Sequence, residues 1–303
     1  SPDNLARRFG GATPEARREA LLPFLWTVVA RDGQIFGDAS RGSVVRVTNR
    51  LWFSYPGYNE LLTGSADPRI DSNDRKTNPN VNVLEWLSRR PGFEGRVAAF
   101  ASWDVFPFIL ATERSRLPVN AAGPPVADPQ NDSERLLNDF AADLPAYWGS
   151  ARFDATTMQG ALHHLRTRVP RVLYVALDET DEWAHERRYD LYLDAAHRSD
   201  RFLRRLWETA QSLPTHRGRT ALVVATDHGR GQGPRDWTDH GERVPAANRI
   251  WMAVLGPDTP ALGVRSGVAA TQGQFAATVA HLVGEDFRVD AAPAPPPLPG
   301  VKR

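Results

Sequence analysis

The sequence predicts an α/β fold of three layers, α/β/α, around a mostly parallel sheet. Three observations carry this. Short apolar runs at 171–177 and 220–226 alternate with long helical patterns at 187–213 and 271–283, and strands that alternate with helices imply a parallel sheet covered on both faces. The runs lack the polar alternation of a half-exposed strand, as expected of strands buried on both sides. Each run also ends in a cluster of Asp and His: Asp178 to His185 after the first, Asp227-His228-Gly229 after the second. Open α/β sheets place their sites beyond the carboxyl ends of the strands.

Taken in order, residues 14–31 carry Ala16, Leu21, Leu22, Leu25, Trp26, Val28 and Val29 in a helical pattern that stops near Asp32-Gly33. Residues 43–48 are short and β-branched, which predicts a strand. Residues 56–62 predict a helix, with Pro56 in its first turn and Gly64 just past its end. Helices are expected at 81–89, 133–146 and 154–168, and a strand at 96–102. Beyond Pro170 come a strand at 171–177, a helix at 187–213, strands at 220–226 and 249–255, and a last helix at 271–283 stopped by Gly284. Residues 1–290 read as a single domain in which the irregular stretch 104–169 caps the site. The Pro-rich residues 291–303 read as an extended, flexible tail.

Composition excludes several classes of function. At 303 residues and 41% hydrophobic content the chain can bury a large core. A net charge of +1 provides no basic excess, so no nucleic-acid-binding surface is expected. There is no cysteine, which rules out disulfides and thiolate metal sites. The longest apolar run, 20–30, is broken by Pro23 and too short to span a bilayer, so no membrane segment is expected. The chain opens Ser-Pro-Asp without Met or a leader, which suits a removed leader or a piece of a longer chain.

Three clusters point to chemistry. Asp227-His228-Gly229 is followed twelve residues later by Asp239-His240-Gly241, and Asp and His together suit borderline divalent metals such as zinc. Either motif alone is equally well explained by turns with solvated histidines. Both together, beside a third cluster, favour a metal. Asp181 and His185 stand four apart, so at the start of a helix they face the same way and can grip one ion. The same spacing is an ordinary exposed helix pair; Asp178 is a rival carboxylate, and Glu179 and Glu182 read as solvated. Ser54 lies just before a predicted helix, where backbone N–H groups hold either an anion or a capping side chain with the same geometry.

In this order, the clusters resemble the alkaline phosphatase superfamily, most closely its nucleotide pyrophosphatase/phosphodiesterase-like and bacterial phosphatase branches. There a Ser or Thr precedes an aromatic-Pro pair, six residues and Thr-Gly; here these are Ser54, Tyr55-Pro56 and Thr63-Gly64. Asp181 with His185, Asp227 to Gly229, and His240-Gly241 match the later motifs, and the last helix also resembles the family's. The resemblance implies an alkaline phosphatase-like fold and two divalent metal ions, zinc first and manganese second. One is held by Asp181, His185 and His240. The other is held by Asp227, His228, the Ser54 hydroxyl and an Asp on a first strand that has no counterpart before Leu21. Residues 25–30 with Asp32-Gly33 imitate that strand, but 21–25 resembles the family's next helix. The chain is therefore expected to lack the first strand and one ligand, to bind its second metal weakly, and to have little activity.

The function implied is a metal-dependent phosphoric ester hydrolase, a phosphatase or phosphodiesterase, that forms a phosphoserine on Ser54 and acts on a small-molecule phosphate ester. Backbone N–H groups from Tyr55 onward are expected at the phosphate; Gly57 stands where the diesterase branch carries an Asn, and Asn59 reads equally as a substitute phosphate contact or as a surface residue of the helix. No Arg or Lys lies between Ser54 and Gly64, which leans towards diesters; Arg46, Arg50 or Arg230 are alternative counter-charges. Sulfatases require Cys or Ser followed by x-Pro-x-Arg, and Tyr58 replaces that Arg. The alternatives are a phosphomutase or phosphotransferase on the same site, or a catalytically silent metal-binding relative. A periplasmic or secreted location is expected, with the cytoplasm as the alternative. His163, His164, His197, His216 and His281 read as surface or satisfied residues, and Asp200 as paired with a neighbouring Arg.

Overall fold

A computed structural model describes residues 2–121, 123–289 and 295–302. The chain divides into two compact units, one of Ser1–Ser72 with Glu182–Arg303 and one of Asn73–Asp181. Its strands, in chain order, are β1 (Gln34–Phe36), β2 (Val44–Arg46), β3 (Val97–Ala101), β4 (Val119–Ala121), β5 (Val172–Ala176), β6 (Leu222–Ala225), β7 (Arg249–Ile250), β8 (Met252–Leu255), β9 (Gly263–Val264) and β10 (Ala269–Thr271).

In the unit Asn73–Asp181, β3 lies between β4 and β5 and all pairs are parallel. Every residue of β3 is buried, as a central parallel strand requires. Helix Asp154–Arg168 begins and ends where the sequence predicts and packs on β3 and β5 through a face that includes the buried Ala161 and Leu162. It stops at Val169, whose φ of +49° breaks the helical path before Pro170 and leads the chain into β5.

In the other unit, β8 lies between β6 and β1, antiparallel to both, and β9 runs parallel to β1 at the edge. A second sheet places β2 between parallel β10 and antiparallel β7. One of the antiparallel pairs, β6 with β8, joins strands that no long helix separates. Between β6 and β8 the one helical segment is the 3-10 turn Pro245–Asn248, so the chain returns beside the strand it left instead of crossing over. Ala225 faces Met252 in that pair, so residues 226–251 leave and re-enter the sheet at the same end. The stretch predicted as one strand, 249–255, is divided at Trp251. Ile250 pairs with Val45 in one sheet, and Met252 begins pairing in the other.

Residues 14–31 are helical in two pieces, Pro14–Leu21 and then Leu25–Val29 continuing as Ala30–Asp32, separated at Leu22-Pro23. Phe24, Leu25 and Val29 pack with Ile35, Ala253 and Leu255 in a core, where each large apolar side chain contributes about 1.5–3 kcal/mol on burial. The second piece starts with exposed helical N–H groups that need an acceptor. Asp200, 2% exposed on helix Tyr189–Ser212, supplies it: its carboxylate accepts the N–H of Phe24 and of Leu25, each at 2.8 Å. Arg204, on the same helix, lies close enough to favour the Asp200 carboxylate's charge.

Of the Pro-rich stretch expected to be a flexible tail, residues 291–294 and 303 lie outside the described residues. Residues 295–302 are anchored. Leu298 is 1% exposed and donates its N–H to Thr278 Oγ1 at 2.9 Å, and the Gln274 amide donates to the carbonyls of Pro296 and Pro297 at 3.1 and 3.2 Å. Proline offers no N–H, but its carbonyl remains a full acceptor. Among the described residues, no helix is long and apolar enough to cross a membrane.

Asp200→Ala leaves the Phe24 and Leu25 N–H groups buried without their acceptor. It is expected to lower unfolding free energy by about 2–4 kcal/mol, read as a reduced urea midpoint with an unchanged m-value.

Candidate nucleophile and metal centre

Ser54 is the first residue of helix Ser54–Thr63. Phe53 occupies the N-cap in extended conformation (φ −139°, ψ 178°) with no side-chain capping bond, so the hydroxyl of Ser54 is not used as a cap. Before it, Trp52 has φ +52°, a left-handed conformation unusual for a bulky side chain. Tyr55 is 2% exposed, so its ring is part of the core. Asn59 is 1% exposed and its amide donates to the carbonyl of Ser65 at 3.1 Å. The Asn59 amide thus meets the carboxyl end of its own helix.

Gly57, one turn after Ser54, explains why no side chain stands there. A Cβ at Gly57 would lie 2.3 Å from the carbonyl oxygen of Asp227, closer than any van der Waals contact. The first turn of the Ser54 helix therefore abuts the backbone at the carboxyl end of β6. Gln272, 0% exposed, holds the same segment, its amide donating to the carbonyls of Thr226 at 3.0 Å and Asp227 at 2.5 Å. Nothing in the sequence distinguishes Gln272 from any other polar residue before a helix.

The helix Glu179–His185 carries Asp181 and His185 one turn apart. Its amino end is held by Asp154, which is 2% exposed and accepts the N–H of Asp178 at 2.8 Å, the N–H of Glu179 at 3.1 Å and the Ser102 hydroxyl at 2.6 Å. Glu179 reciprocates by accepting the N–H of Asp154 at 2.9 Å. Two helix amino ends thus exchange carboxylates, each placed where the helix dipole favours a negative charge. Glu179, expected to be solvated, is 2% exposed for this reason. Burial, then the nearby Glu179 carboxylate, pushes Asp154 up to about 7 against its three donors.

The loop from β6 to β8 holds both Asp-His-Gly motifs at one end of the sheet. His185 Nε2 and His240 Nε2 lie 3.0 Å apart. Asp181, His185 and His240 each offer a ligand atom, all within 4.8 Å of one another. Asp181, not Asp178, is the carboxylate of this group. Two imidazoles and a carboxylate converging on one point are a donor set for a borderline divalent ion. Burial, with the nearby His228, Arg230 and His185, holds His240 down to about 2, so its ring is neutral, as a metal ligand must be.

His228 stacks on His240 with ring centroids 4.0 Å apart and 30° between planes, and its Nε2 lies 3.5 Å from Asp227 Oδ2. Burial pushes the Asp227 carboxyl up, and His228 opposes this. The structure thus gathers His185, His240, His228 and Asp227 along one line of contacts, with the Ser54 helix packed on the Asp227 backbone. Among the described residues, Asp227 and His228 do not form a group of three His, Asp or Glu ligands. Asp32, which imitates a first-strand ligand, ends a helical segment and bonds to Arg31 at 2.6 and 2.7 Å. Of the candidate counter-charges, Arg230 is half-buried beside His240, whereas Arg46 is exposed and bonds to Asn248. The remaining histidines are satisfied or peripheral: His163 pairs with Glu134 at 3.0 Å, and His197 Nδ1 meets the Leu21 carbonyl at 2.7 Å.

An α/β scaffold with Asp and His ligands beyond its strand ends and a helix-borne hydroxyl defines the alkaline phosphatase-like class. Within it, the chain belongs to the type I phosphodiesterase / nucleotide pyrophosphatase family, which it matches over residues 45–285. Solved structures share the fold. A putative sulfatase from Bacteroides thetaiotaomicron superposes with a TM-score of 0.57 at 14% identity, covering 87% of this chain and 66% of that one. A phosphonate monoester hydrolase from Silicibacter pomeroyi gives 0.52 at 15% identity, over 89% and 70%. A TAB5 alkaline phosphatase variant gives 0.53 at 10% identity, over 94% of both chains. No curated protein shows significant sequence similarity to the chain.

Two outcomes follow. Asp154 contributes stability that is full below its ordinary value of 3.8 and is lost as pH rises through about 7. Thermal midpoints of the native protein should therefore fall across that window, and the fall should be shallower in Asp154→Asn. Gly57→Ala forces Asp227 away; a loss of about 1–3 kcal/mol is expected, read as a reduced urea midpoint.

Proposed function

We propose that the protein is a metal-dependent hydrolase of phosphoric esters that works through a phosphoserine on Ser54. The observation that carries this is the convergence of Asp181, His185 and His240 within 4.8 Å, in a family named for phosphodiester and pyrophosphate cleavage. Those three residues hold one divalent ion, with zinc the best match to two imidazoles and a carboxylate and manganese next. Asp227, His228 and Ser54 face the second. Bound there, the ions supply positive charge for the phosphoryl oxygens and lower the pKa of a neighbouring hydroxyl.

The residues of the chain do the rest. The Ser54 oxygen forms a bond to phosphorus as the ester P–O bond breaks and the alcohol leaves; water then cleaves the phosphoserine and regenerates Ser54. The amino end of helix Ser54–Thr63 favours the anionic phosphoryl group beside it. His240, neutral through burial, stays available as a ligand across the physiological range. The substrate is a small phosphate ester, and a diester suits the site better than a monoester because no Arg or Lys lies between Ser54 and Gly64 to neutralise a dianion. Sulfatases are among the structural neighbours, but Tyr58 stands where a sulfatase's formylglycine motif carries its Arg. A phosphoryl ester is therefore the better substrate class.

The test is hydrolysis of aryl phosphate mono- and diesters with metal analysis of the same samples. Ser54→Ala should lose on the order of 10³-fold or more in kcat while retaining its metal. His240→Ala should lose both metal and activity, and chelation should abolish turnover that added zinc or manganese restores. Undiminished turnover in Ser54→Ala would remove Ser54 from the mechanism.

A further inference from the structure

Glu60 is 0% exposed on the helix that starts with Ser54. Its carboxylate accepts from four donors: the Thr48 N–H at 2.8 and 3.0 Å, the Thr48 hydroxyl at 2.8 Å, the Asn49 N–H at 2.7 Å and the Asn49 amide at 2.9 Å. None of these partners is a cation. Asn49, 7% exposed, passes the constraint on, its Oδ1 accepting the N–H of Leu51 at 3.1 Å and of Trp52 at 3.0 Å. Trp52 is held there at φ +52°, a conformation that is strained for a bulky residue and persists where its surroundings over-determine it. Phe53 then runs extended into Ser54. The Trp52 carbonyl also accepts the N–H of Gly241 at 3.0 Å, next to His240.

We infer that Glu60 is a positioning residue for the reaction: through Thr48 and Asn49 it sets the strained turn that presents Ser54, and through the Trp52 carbonyl it ties that turn to His240-Gly241. This rests on the reading of Ser54 as nucleophile. A carboxylate is required because it only accepts, and both of its oxygens face donors. A glutamine of the same shape points an NH₂ group at one set of those donors and breaks half of the clamp. Glu60 touches neither substrate nor ion, so its effect lies in where the Ser54 oxygen sits, and displacements of about 1 Å at a reacting atom cost up to about 100-fold.

The experiment compares the metal-loaded full chain with Ser54→Ala, Glu60→Gln, Asn49→Ala and the double variant Ser54→Ala/Glu60→Gln, using an aryl phosphate diester. Glu60→Gln is expected to lower kcat about 10- to 100-fold with KM changed less than about 3-fold and metal content equal to the native protein's. Asn49→Ala should show the same split and covers the case in which Glu60→Gln fails to fold. In the Ser54→Ala background, Glu60→Gln should leave residual hydrolysis unchanged, since its effect passes through that oxygen. Native kcat in folded Glu60→Gln or Asn49→Ala, or an equal loss with and without Ser54, overturns the inference. Undiminished activity in Ser54→Ala alone marks instead the failure of the nucleophile reading, and the inference falls with it.

Discussion

The site depends on one close approach of backbone to backbone. The Cα of Gly57 lies so near the carbonyl of Asp227 that a single added carbon would sit 2.3 Å from it. That contact joins the helix bearing Ser54 to the strand end bearing Asp227 and His228. Gln272 grips the same carbonyl from another direction, so the segment is held by a steric limit and by a donated hydrogen bond at once. The family's usual Asn is incompatible with this packing, and the chain gives up a side chain at Gly57 to bring the two elements together.

Within each unit, buried carboxylates organise the backbone. Asp200 caps Phe24 and Leu25, Asp154 and Glu179 cap each other's helices, and Glu60 gathers Thr48 and Asn49. Each sits where N–H groups of a helix end or a tight turn have no partner along the chain, and each is left with its hydrogen-bonding capacity used. Rigid, hydrogen-bonded supports of this kind fix the backbone from which candidate site residues project.

Much of the fold was legible because hydrophobic periodicity is a local property. Helix Asp154–Arg168 was read to the residue, and β3, β5 and β6 fall within the predicted strands. Short strands such as Gln34–Phe36 and Gly263–Val264 were not seen, since two or three residues carry no period, and the split of 249–255 at Trp251 reflects which strands lie alongside. The candidate site was legible in residue type: Asp181, His185, His240, Asp227 and His228 are spaced residues of distinctive chemistry. Its supports were not, because Glu60, Asp154, Glu179 and Gln272 look in sequence like solvated polar residues.

What the sequence determined by itself is the family, the α/β alternation and the identity of the ligand-type side chains, all of which rest on residue type and spacing. Tertiary structure alone decided that Asp181 rather than Asp178 joins the two histidines, that the Asn59 amide meets the Ser65 carbonyl, and that Glu60 and Asp154 are buried acceptors. Those outcomes depend on which backbone N–H groups arrive from elsewhere in the chain, and partners supplied by distant segments leave no pattern along the residues they meet.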